Sequence, residues 1–131
     1  MTLHHVGIEI KASDVERAVE LFALLGFEQV QPPPALAAGF TWLERNGTQV
    51  HLMHEERPTV PERGHLAVVI PDFEAALDRL HEHGFETRPG REHWGAPRAH
   101  ATLPGGQRIE LMAAPPTSAT QPSGSSRIPP T

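Results

Sequence analysis

Two seven-residue stretches of this 131-residue chain echo each other: Gly47–Met53, G-T-Q-V-H-L-M, and Gly106–Met112, G-Q-R-I-E-L-M. Each carries a metal-binding side chain at the same place, His51 in the first and Glu110 in the second. Upstream, His5 precedes His51 by 46 positions and His65 precedes Glu110 by 45, so a His at the start of each half matches a His or Glu near its end. Three imidazoles and one carboxylate form a donor set for a divalent transition metal such as Zn, Ni, Fe, Mn or Co. With nine histidines and no cysteine, His and carboxylate are the donors the chain can offer in place of thiolate. Water or substrate completing the shell would make the ion an open Lewis acid. One isolated strand histidine reads as a polar group on a solvated face. Four in matching positions need a joint explanation.

The elements that would position these residues repeat as well. Leu3 to Ile10 alternates, with Val6, Ile8 and Ile10 on one face and His5, Gly7 and Glu9 on the other. Ser13 with Glu16 three residues later reads as a capping box, opening a helix that buries Val15, Ala18, Val19, Phe22 and Leu25 and stops at Gly26. A short strand from Phe27 to Val30, a rigid Pro32-Pro33-Pro34 connector, and strands Phe40 to Glu44 and Thr48 to His54 around Asn46-Gly47 complete the first unit. After a Pro-containing linker the order restarts. Gly64 to Ile70 reads as a strand, Asp72 as the cap of a helix with Phe73, Ala76, Leu77 and Leu80 on its apolar stripe, and Gly84-Phe85-Glu86 repeats Gly26-Phe27-Glu28. A polar loop from Arg88 to Ala96 leads into a hairpin, Arg98 to Leu103 and Arg108 to Ala113, turning at Pro104-Gly105-Gly106.

The expected fold class is therefore α+β, two tandem βαβββ modules forming a curved mixed-sheet cup. Module 1 covers residues 1–55, the linker 56–63 and module 2 residues 64–114, one domain in all. Residues 115–131, rich in Pro, Ser and Thr, have too little apolar content to repay ordering and are expected to be a disordered tail. In all four strands that carry a candidate ligand the aliphatic residues share one face, under the helices, and His5, His51, His65 and Glu110 share the other.

A formal charge of −5 without a basic stripe argues against nucleic acid as partner. No stretch is long and apolar enough for a membrane span, and Met-Thr-Leu-His-His lacks the basic and apolar blocks of a signal peptide, so a cytoplasmic protein is expected. Among the remaining polar residues, Glu9 shares the parity of His5. His93, Trp94 and His100 could reach a cavity mouth from the second loop and its neighbouring strand. His4 and His54 fall on the opposite parity and read as strand-end residues. His81 and His83 close the second helix, where imidazolium suits the dipole.

The segments H-H-V-G-I-E-I, T-Q-V-H-L, G-H-L-A-V-V-I-P-D and L-P-G-G-Q-R-I-E-L, spread from Leu3 to Met112, resemble the vicinal oxygen chelate superfamily of glyoxalases, bleomycin-resistance proteins and dioxygenases. The resemblance implies metal ligands at His5, His51, His65 and Glu110, with His51 standing where glyoxalase I usually has Glu or Gln. It implies a glyoxalase-like lyase or isomerase that chelates vicinal oxygens and stabilises an enediolate or enolate, with Glu110 or His51 as base, and it implies a homodimer. The alternative is a bleomycin-resistance type protein that sequesters a ligand. Absence of Tyr speaks against an extradiol dioxygenase, and Gly7, with L-P-G-G-Q before the final Glu, against a fosfomycin-type thiol transferase.

Overall fold

The computed structural model describes residues 1–116; the expected tail falls outside them except for Pro115 and Pro116. The first unit contains β1 (His5–Ile10), a 3-10 turn (Ala12–Asp14), α1 (Val15–Leu24), β2 (Glu28–Val30), β3 (Phe40–Arg45) and β4 (Thr48–His54). The second repeats it with β5 (Leu66–Val69), α2 (Phe73–Glu82), β6 (Thr87–Pro89), β7 (Arg98–Thr102) and β8 (Arg108–Met112). Each unit builds its own four-stranded mixed sheet, in the orders β1-β4-β3-β2 and β5-β8-β7-β6. The first strand of each pairs parallel to the last, and the other pairings are antiparallel.

Binary patterning explains the layering. Val50, Leu52, Ile109 and Leu111 are buried beneath the helices, which contribute Ala18, Leu21 and Phe22 from α1 and Phe73, Ala76 and Leu80 from α2. The opposite sheet faces carry the histidines and Glu110. The two units also meet through α1 and α2, whose helices are in contact.

Three local expectations change. Ser13 does not cap α1: it lies inside the 3-10 turn, whose Asp14 N–H bonds the Lys11 carbonyl, so Asp14 holds the cap position, and no side chain caps the helix. Asp72 precedes α2 as expected but makes no side-chain cap bond. Its carboxylate instead accepts from Arg79 Nη1 at 3.1 Å. The fifth strand begins one residue after His65, so that ligand candidate sits at the strand mouth.

The turns follow their residues. Asn46 and Gly47 both take positive φ, 52° and 82°, the two left-handed positions a two-residue hairpin needs, and Arg45 pairs with Thr48 across them. Gly26, at φ 92°, ends α1. A side chain there would meet Arg45, a mobile group, so the cost of Gly26→Ala is conformational. The substitution is expected to destabilise the fold by about 1–2 kcal/mol, read as a lowered urea midpoint with unchanged slope.

Candidate metal centre

The structure divides the four expected ligands between two clusters, one per sheet. His4, His5 and His51 gather on the first sheet; His65, His100 and Glu110 gather on the second; within each set the ligand atoms lie within 4.8 Å of one another. Their separation follows from the seam between units. Gln107 Nε2 donates to the Glu9 carbonyl at 2.8 Å, placing the end of β1 beside the approach to β8. His5 lies four extended residues back along β1 from Glu9, about 13 Å at the rise of a strand.

Register explains the second cluster. His100 and Glu110 are directly paired across β7 and β8, so their side chains share a face, and His65 reaches it from the mouth of β5. His65 Nδ1 donates to the Arg63 carbonyl at 2.8 Å, which points Nε2 at Glu110 Oε1, 2.9 Å away. A bare imidazole lone pair and a carboxylate oxygen repel, so this contact requires a proton or a cation between them. The 2.9 Å spacing is that of a charged hydrogen bond, and it is equally compatible with two donors each about 2.1 Å from one octahedral ion at right angles, which would be about 3 Å apart. His100 Nε2 stands 4.0 Å from the same oxygen, and Arg98 Nη1 donates to Oε2 at 3.4 Å. Glu110 is only 8% exposed despite lying on the polar face, so its charge needs these partners. Burial pushes the His100 pKa down. Glu110 opposes the shift, and Arg98, His65 and Arg108 add to it.

The first cluster is a stack. His51 is directly opposite Trp42 on β3, with ring centroids 4.0 Å apart and planes 2° from parallel, and the His5 ring covers its other side at 3.9 Å. His4 joins through Nδ1, 2.9 Å from His5 Nδ1. A hydrogen-bond chain fixes the His51 tautomer. Glu44 Oε1 can only accept, so it takes the Gln49 amide N–H at 2.9 Å; the Gln49 carbonyl then faces His51 Nε2 at 2.7 Å and receives its proton. The remaining nitrogen, Nδ1, keeps a lone pair for a metal or a proton. Burial, then the neighbouring His5 and His4, lower the His51 pKa from 6.5.

That shift has a consequence for stability. The unfolded chain takes up the His51 proton more readily than the folded one, so the contribution of this group is complete above pH 6.5 and is lost as the pH falls through its lower folded value. His100 acts in the same direction. Urea unfolding of metal-free protein is expected to show lower stability at pH 5.5 than at pH 7.5, with a smaller difference in His51→Gln; a difference unaltered by the substitution would discount His51.

The other expected pocket residues separate. His100 belongs to the second cluster itself. Glu9 lines a cavity of about 280 Å³ along the seam together with His65, but its Oε1 accepts from the Thr59 N–H at 3.2 Å, tying down the linker. Trp94 donates its indole N–H to the Ala114 carbonyl at 2.9 Å, a clasp on the end of the second unit. Neither Trp94 nor exposed His93 lines the cavities that contain His65 or His100. Sequence reasoning left His4 outside the site and gave no role to Arg98 or Gln49. His4 lies just before the strand, where alternation no longer governs direction. The pairing of His100 with Glu110 was signalled by their equal distance from Gly105.

The family model described as Glyoxalase/Bleomycin resistance protein/Dioxygenase superfamily matches residues 2–111. A protein assigned to the glyoxalase family from Bacillus anthracis superposes with a TM-score of 0.76 at 21% identity, covering 86% of this chain and 93% of that one. The oxidase ChaP-H2 gives 0.69 at 22%, covering 90% and 97%. TnmS3, an antibiotic binding protein from Streptomyces, gives 0.65 at 19%, covering 86% and 94%. At these identities the likeness is one of fold alone. No curated protein matches the chain in sequence.

Proposed function

Because the chain belongs to the glyoxalase/bleomycin resistance/dioxygenase superfamily, whose fold serves several chemistries, we propose from its side chains that it is a glyoxalase-like metalloenzyme acting on a small molecule with adjacent oxygens. The observation that carries this reading is the 2.9 Å approach of His65 Nε2 to Glu110 Oε1, with His65 Nδ1 already committed to the Arg63 carbonyl. His65 and Glu110 would hold a divalent ion, and His5 and His51, which gather in a separate cluster, would complete the donor set from the first unit of a second copy of the chain. The bound ion would polarise a substrate carbonyl and acidify the neighbouring C–H, the basis of isomerase, epimerase or lyase chemistry.

The chain's own groups supply orientation and proton handling. Arg98 Nη1 on Oε2 leaves Oε1 of Glu110 to face His65. His51 has one lone pair, at Nδ1, which serves as a fourth donor or as the acceptor of the substrate proton, but not as both at once. Its lowered pKa keeps that lone pair available at neutral pH. Glu110 is the other group able to take the proton. Native mass spectrometry after expression with Zn, Ni, Mn or Fe tests the reading: dimers with one ion per chain support it, and metal-free protein under every condition refutes it.

A second reading rests on Trp42, whose indole Nε1 is buried and has no hydrogen-bond partner among the described residues. The Trp42 ring, at the end of the stack with His51 and His5, is an aromatic surface against which a captured ligand would pack, and TnmS3 is named as an antibiotic binding protein on the same fold. Tryptophan quenching by a ligand in metal-free protein, with no turnover in any metal form, favours sequestration.

A further inference from the structure

The polar face of the second sheet differs from that of the first in charge. Register equates Arg88, His100, Thr102 and Arg108 with Val30, Trp42, Glu44 and Gln49. Val30 and Gln49, both uncharged, are replaced by arginines in the second unit, Trp42 by a histidine, and acidic Glu44 by a neutral threonine. The second-unit residues line a cavity of about 570 Å³ that also includes Arg17 and Glu86. In a chain of net charge −5, three guanidinium groups around one carboxylate in one recess are a local reversal of sign.

Two of the three guanidiniums are available. Arg17 is occupied, with Nη1 on Glu20 at 2.9 Å and its guanidinium carbon 3.5 Å above the Phe85 ring. Arg88 makes no side-chain hydrogen bond or ion pair among the described residues. Arg108 uses Nη2 to donate to the carbonyls of Glu62 and Arg63, at 3.1 and 3.0 Å. These bonds fix its direction without neutralising its charge, and they tie it to the backbone carbonyl that also orients His65.

The geometry points to an anion subsite in this cavity, in which Arg88 and Arg108 receive a carboxylate or phosphate carried by the substrate a few bonds away from its metal-binding oxygens. Arg108 and Glu110 stand two residues apart on one strand, about 7 Å, and Arg88 is two strands across from Glu110, about 10 Å. His100 lies between, so a small molecule can span from the recess to Glu110. A planar guanidinium fork suits either oxyanion. The inference rests on the metalloenzyme reading only for the second end of the substrate. The anion subsite itself stands on the arginines.

The test uses metal-free full-length protein, so its failure and the failure of metal binding are separate results. Arginine Nε–H resonances are followed by NMR while sodium phosphate or sodium acetate replaces sodium chloride at constant ionic strength. Saturable shifts are expected at Arg88 and Arg108. Arg88→Gln, a change at an exposed residue, is expected to weaken the binding about tenfold or more, the loss of a charged hydrogen bond, while leaving the metal content of loaded protein unchanged. Phosphate binding tighter than acetate identifies a phosphoryl group; acetate binding as tightly or more so identifies a carboxylate. Shifts matching those in chloride, shifts spread over all arginines, or full affinity in Arg88→Gln would overturn the subsite.

Discussion

Glu110→Gln is expected to lower metal affinity by more than about 100-fold, because loss of a direct ligand exceeds the 10–100-fold cost of losing a group that only supports one. The substitution keeps the shape of a side chain that is 8% exposed and removes its charge. One amide oxygen is then a weak neutral donor, and the amide nitrogen cannot bind an ion at all. Arg98 and His65 lose the carboxylate that each now faces, at 3.4 and 2.9 Å. Competition against a chromophoric chelator measures the loss, and a thermal melt of the metal-free variant separates it from unfolding. His93→Gln, an exposed histidine outside both clusters, is the control and is expected to bind as wild type. Wild-type stoichiometry and affinity in Glu110→Gln would remove Glu110 from the centre.

The periodicity of the strands made much of this legible in advance. Alternation at Val50, Leu52, Ile109 and Leu111 identified the buried face, and so assigned His51 and Glu110 to the other. Asn46-Gly47 fixed a register that sets Trp42 against His51, and the turn centred on Gly105 does the same for His100 and Glu110. What alternation does not encode is the distance between sheets. The relation of His5 to His65 depends on how β1 meets the second unit, through contacts such as Gln107 to Glu9 that have no periodic signature. Burial of Glu110 and His51 was hidden for a related reason. A polar strand position is read as solvated, whereas here the flanking rings and Arg98 cover it. Ser13 shows the converse failure: a local capping pattern was present, but the backbone bond of Asp14 to Lys11 satisfied the turn without it.

Subunit complementation is expected to restore metal binding to two defective variants. If His5 and His51 of one chain join His65 and Glu110 of another, the double variant His5→Ala/His51→Ala and the single variant Glu110→Gln each lack a complete site as homodimers. In a mixed dimer, the Glu110→Gln chain supplies its intact histidines to the intact His65 and Glu110 of the other, making one whole site and one doubly broken one. Random exchange gives half mixed dimers with one of two sites whole, so high-affinity capacity should recover to about a quarter of wild type from parents near zero. A site made within one chain from His65, His100 and Glu110 predicts otherwise. The double variant would then bind metal fully on its own, and mixing would give only the average of the parents. The distinction bears on the proposed proton transfer, because only the shared site would bring the His51 Nδ1 lone pair of the first unit beside the ion that Glu110 of the second would hold.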